Sequence, residues 1–157
     1  MPKHIRFSII LFFTIAGIFI IDQNIKMLFV DGFRYYTNYI DLILVYNKGV
    51  AFSMLSFLDE WLKYIQLVLV ISILIYIVSL KKICYCIPAG FMIGGALSNI
   101  YDRFVYGGVV DMVYWHGWPY PIASQEGFAV FNFADVMIDV AVAWFLLLHF
   151  KSTLCKN

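Results

Sequence analysis

The sequence predicts an all-α membrane protein built on four transmembrane helices. Three observations carry that reading. Of 157 residues, 63% are hydrophobic and only 13% are charged, against ~45–50% apolar and ~25% charged in an ordinary soluble domain. Four apolar runs, at about 7–28, 61–80, 84–104 and 131–150, each give roughly the 20 residues that ~30 Å of hydrocarbon requires. Lysines and arginines gather in alternate connections between those runs, as they do where a chain crosses a bilayer repeatedly. One membrane domain over 1–157 accommodates the length. The net charge of +1, with no polybasic run, argues against a nucleic-acid partner.

The first run follows Lys3 and Arg6. No small-residue cleavage site comes after it; the chain continues IDQNIK, which predicts a retained helix rather than a removed leader. Between the first and second runs, IDLILVY at 40–46 partly alternates and is rich in β formers. A short strand is expected there, continuing through GVAFSM. The second run carries Lys63 and Gln66 near its start, where long side chains snorkel. Lys81 and Lys82 lead into the third, whose GGAL at 94–97 reads by itself as small-residue helix packing. Residues 112–130 then hold two Trp, two Tyr and two Pro. Interfacial anchoring and a lid over a site, with Trp115 and Trp118, are compatible readings of that segment. Lys151 and Lys156 follow the fourth run. The positive-inside rule puts the three basic places in the cytoplasm and with them both termini. Cys84, Cys86 and Cys155 are odd in number, and reduced thiols are expected beside the cytoplasmic lysines.

Polar residues inside the spans gather in one layer. Asp22 and Lys26, spaced i,i+4, end the first helix; Asn99, Asp102 and Arg103 end the third; Asn132 and Asp135 begin the fourth. All converge on the outer third of the membrane, where a charge needs a partner, a cavity or a role to offset ~2.5–3.5 kcal/mol. For Asp22–Lys26 and Asp102–Arg103, structural ion pairing and function remain equal alternatives. Asp111 and Asp135 differ, because neither has a basic residue within four positions. Two such carboxylates at one level share a proton, one carboxyl acting as acid while the other activates water. That is aspartic protease chemistry, with no metal or cofactor. Alternative chemistries lack their residues: the three histidines are scattered with no HExxH, there is no GxSxG, and Ser98 has no lysine at helical spacing. A small proton-linked transporter or channel subunit is the rival; it predicts midplane sites and internal repeats.

These residues together resemble the lipoprotein signal peptidases, or signal peptidase II. IDQNIK resembles the first box of that family, with Asp22 and Lys26, and YNKGVAFSML its N-x-G-x-A-F-S box, with Asn47 and Gly49. GGALSNIYDR, GGVVDMV and FNFAD follow in the family's order, carrying Asn99, Asp102 and Arg103, then Asp111, then Asn132 and Asp135. Ser98 stands where the family usually has Gly, Ile25 where Ser or Thr precedes the lysine, and Val136 where Ser is common; Asp139 is an added acid. The resemblance implies an outer-facing β-cradle at roughly 29–60 and a short outer interfacial helix at roughly 112–127. It also implies an aspartyl endopeptidase, with Asp111 and Asp135 as the catalytic pair. That enzyme cuts diacylated prolipoproteins before the lipidated cysteine, in the bacterial inner membrane. Asn99 and Asn132 are then expected to hydrogen-bond the carboxylates, and Asn47 and Arg103 to bind substrate backbone or support the site. No cofactor is implied, membrane lipid and the lipidated signal peptide are the partners, and a functional monomer is expected.

Overall fold

In the computed structural model the described residues are 1–49, 60–116 and 130–150. Helix α1 spans Lys3–Val30, α2 Glu60–Leu80, α3 Cys86–Val105 and α4 Phe133–Phe150, with a 3₁₀ turn at Ile83–Tyr85 leading into α3. All four are long and apolar enough to cross a membrane. Strands β1 (Tyr35–Tyr36), β2 (Ile40–Asn47) and β3 (Val109–Trp115) form an antiparallel sheet in the order β1-β2-β3.

The helix at the centre is α3. Half of its span is buried within the protein, against 17% for each of the others, so α1, α2 and α4 surround it and turn apolar faces to lipid. Small residues make this possible. A Cβ on Gly94 would stand 2.7 Å from the Ile15 carbonyl oxygen of α1, and one on Gly95 would stand 2.8 Å from the Ala134 carbonyl oxygen of α4. The GGAL stretch is thus the close-packing seam expected of it. Phe7, Leu11, Val70, Ile77, Ala89 and Ile93 fill the apolar core of one half.

The sheet covers the other end. Helix α1 stops at a Schellman turn: Gly32 has φ +107, the Gly32 N–H reaches the Phe29 carbonyl and the Phe33 N–H reaches the Leu28 carbonyl. The chain then enters β1. Phe29 packs with Val110 and Met112, joining helix end to sheet. Asn47 is paired with Val109 and Val45 with Asp111, with an irregularity between Leu42 and Val45. Phe131 exchanges backbone bonds with Val113, which fixes the start of α4 beside β3. At the far edge His116 Nε2 lies 2.8 Å from Asp41 Oδ2.

Three expectations are corrected. Residues 112–115 belong to β3, because pairing with β2 satisfies their backbone groups, and His116 is a turn; the rest of the expected outer helix from 117, Trp118 included, lies outside the described residues. Strand β2 ends at Asn47, where the Asn47 side chain takes the Gly49 N–H at 3.0 Å and turns the chain; GVAFSM beyond it lies almost wholly outside the described residues. Cys84 is disulfide-bonded rather than reduced, whereas Cys86 is a buried free thiol.

Candidate active site

Seven polar or charged side chains are buried where α1, α3, α4 and the sheet meet: Asp22, Lys26, Ser98, Asp102, Arg103, Asp111 and Asn132. Lys26 organises one half. Its Nζ lies 2.6 Å from Asp22 Oδ2 on its own helix and 2.6 Å from Asp102 Oδ2 on α3. The third ammonium donor goes to Asn99 Oδ1 at 2.7 Å, so all three donors of the cation are used. Both aspartates also hold backbone: Asp22 accepts from the Ala134 N–H at 2.8 Å through its other oxygen, Oδ1, and Asp102 accepts from the Val110 N–H at 3.1 Å through the same Oδ2 that meets Lys26. One ion triad therefore ties α1 to α3, to the first turn of α4 and to β3.

The other half surrounds Asp111 and Asp135. Asn132 touches both. Its Nδ2 donates to Asp111 Oδ1 at 2.7 Å, its backbone N–H donates to Asp135 Oδ2 at 3.1 Å, and its Oδ1 accepts from the Asp135 N–H at 2.9 Å. The last two form a reciprocal capping box at the start of α4, where an acidic side chain also meets the positive end of the helix dipole. Asn99, oriented by Lys26 at its oxygen, donates Nδ2 to Asp135 Oδ1 at 2.9 Å. Asn47 donates to Asp111 Oδ2 at 3.1 Å. Both carboxylates are thus held by amide N–H groups on more than one side, and neither has an ion-pair partner among the described residues.

Burial, first, and the nearby Asp135 charge, second, raise the Asp111 carboxyl from 3.8 to about 7, against hydrogen bonds from Asn47 and Asn132 and the Lys26 charge that lower it. The folded state therefore binds this proton more tightly than the unfolded chain. Its stabilising effect is full below 3.8 and is lost as the pH rises through about 7. The melting temperature of the protein should accordingly fall between about pH 4 and 7 more steeply than that of Asp111→Asn. Parallel melting curves for the two proteins would show that this carboxyl is ionised throughout.

The sequence model of the family described as signal peptidase (SPase) II matches residues 14–151. The chain belongs to the signal peptidase II family. A lipoprotein signal peptidase of Sulfurimonas denitrificans is 69% identical to it over 155 residues, 99% of this chain and 97% of the relative. One from a Sulfurovum species is 54% identical over 145 residues, 90% and 93% of the two chains. Two solved structures described as bacterial membrane enzymes share its fold. One has a TM-score of 0.76 at 21% identity, covering 94% of this chain and 91% of that one; the other has 0.73 at 19%, covering 90% and 92%. As a member of that family the chain is a peptidase and a bacterial membrane protein.

Within the peptidase, the structure gathers the residues singled out from sequence, with three differences. Arg103 does not pair with Asp102, its neighbour in sequence, because successive helical side chains diverge. It donates instead to the Lys48 carbonyl at 3.1 Å and to the Gly49 carbonyl, clamping the turn that presents Asn47. Asp139, an added acid for which the alternatives are an uncharged carboxyl in the membrane or a bond to a neighbouring helix, is exposed on α4. Asp139→Asn should therefore keep most of the cleavage of a lipidated peptide; loss as deep as for Asp135→Asn would identify Asp139 as the reacting acid. Trp115 ends β3 and is 39% exposed. Gln23 and Ser98 went unassigned in the sequence, although a polar Gln three residues before Lys26 on the outer turn of α1 was a usable signal.

Proposed function

We propose that this chain is an aspartyl endopeptidase that removes signal peptides from diacylglyceryl-modified prolipoproteins, cutting before the lipidated cysteine. The observation that carries the proposal is Asn132 bonded to both Asp111 and Asp135, two carboxylates with no ion-pair partner among the described residues. The curated relatives named lipoprotein signal peptidase support the substrate class. Asp111, whose carboxyl is pushed up to about 7, holds the shared proton at rest. Asp135 takes a proton from water as the water oxygen attacks the scissile carbonyl carbon. Asp111 delivers its proton to the amide nitrogen as the carbon–nitrogen bond breaks, and the pair ends the cycle again with one proton.

Asn99 and Asn132 orient the two carboxyls, and Asn47, Gly49 and Arg103 build the turn beside them. Asp22, Lys26 and Asp102 hold the elements together. Trp115 and Trp118 contact the lipid-bearing part of the substrate. The enzyme works as a monomer with its site at the outer face of the inner membrane and both termini in the cytoplasm. Purified protein incubated with a diacylated prolipoprotein peptide should release the signal segment, read by mass spectrometry. Proton flux in liposomes without cleavage would favour the transporter instead. Reporter fusions after Lys82 and after residue 120 should report opposite sides of the membrane, and the same side at both points would overturn the four-span orientation.

A further inference from the structure

Helix α4 opens with backbone N–H groups that its own turns cannot satisfy. Asn132 takes that of Asp135, and Asp22, reaching across from α1, takes that of Ala134 at 2.8 Å. What aims Asp22 is not Lys26 alone. The single Lys26 ammonium lies 2.6 Å from Asp22 and 2.6 Å from Asp102, so the two carboxylates share one positive charge, and that contact alone does not fix the rotation of Asp22. The Ser98 hydroxyl supplies the second constraint, donating to Asp22 Oδ2 at 2.7 Å. Gln23 Nε2 fills the acceptor side of that hydroxyl at 2.8 Å and also reaches Asp102 Oδ1 at 2.8 Å. The proton of Ser98 therefore has one place to go. With two donors on Oδ2, the Oδ1 of Asp22 is turned to Ala134. Ser98 is 0% exposed, so no solvent competes for these bonds.

We propose that Ser98, oriented by Gln23, is a positioning residue for Asp135: through Asp22 and the Ala134 N–H it fixes where the first turn of α4 holds that carboxylate relative to Asp111. The inference rests on the reading of Asp135 as a reacting group. Ser98 itself touches neither substrate nor the reacting atoms.

The test compares wild type, Ser98→Ala and Gln23→Met in lipid, by hydrogen–deuterium exchange of the peptide covering 133–136 and by cleavage kinetics on a diacylated prolipoprotein peptide. In the wild type the Ala134 amide should exchange slowly. In Ser98→Ala it should exchange at least ~5-fold faster, with kcat down roughly 5- to 10-fold, KM within about twofold and the protein still folded, its melting temperature lowered by only several degrees. Gln23→Met should move both readouts the same way and carries the comparison alone if Ser98→Ala does not fold. A freely exchanging Ala134 amide in the wild type overturns the proposal. So does faster exchange with unchanged kcat, or lower kcat with unchanged exchange. Full cleavage by Asp135→Asn would sink the aspartyl reading while leaving the exchange result to judge the tether.

Discussion

Asp111→Asn and Asp135→Asn should each reduce cleavage of a diacylated prolipoprotein peptide by at least ~10²- to 10⁴-fold, the range that a general acid or base contributes. Asparagine keeps the size of the side chain and an acceptor for the Asn132 or Asn99 amide, but it cannot exchange a proton. Both variants should still insert and still bind a non-cleavable lipopeptide. The double variant should be hardly slower than either single one, because two groups that pass one proton act as a unit. Wild-type activity should decline at both pH extremes, with apparent pKa values that belong to the pair, and chelators should leave the rate unchanged. A folded single variant cleaving at near the wild-type rate would rule out the mechanism.

The second large effect is on stability. Lys26→Met should lower the melting temperature by on the order of 10 °C, corresponding to the ~3–5 kcal/mol lost when one partner of a buried ion pair is removed. Asp22 and Asp102, both 0% exposed, would then face each other without a cation. Each also holds a backbone N–H, at Ala134 and Val110, so the loss reaches α4 and β3 together. Lys26→Arg should not restore the protein: a planar guanidinium does not fit a compact site that uses three converging donors. Retained melting temperature in Lys26→Met would mean that the triad contributes little to the fold.

Local chemistry made much of this readable from residues alone. Apolar runs of spanning length gave four helices because lipid forces their backbones to bond internally. Spacings of three and four put Asp22 with Lys26 and Asn99 with Asp102 on shared faces. What stayed hidden depends on contacts between distant segments. Asn47 meets Asp111 only because β2 and β3 pair with Asn47 opposite Val109 and Val45 opposite Asp111, which makes the two a diagonal pair on one face of the sheet. No local pattern specifies that register across 64 positions. Lys26 found its second carboxylate on α3, and Arg103, adjacent to Asp102, found carbonyls instead. The strand at 112–115 was masked by aromatic composition that suits an interface as well as a ladder.

The reciprocal clasp between Asn132 and Asp135 has a bearing on how the protein can diverge. It is made from side-chain oxygens and main-chain N–H groups at the two ends of one turn, and the third hold on that turn, from Asp22, also lands on a main-chain N–H. Every amino acid except proline offers that same N–H. The side chain just after the clasp is therefore free to drift while the Asp135 carboxylate stays in place, whereas Ala134, 0% exposed, is held by its packing. Val136 illustrates it: its side chain is 38% exposed and its own hydrogen bond to Asn132 is again main-chain, so another side chain can stand there without loosening the turn.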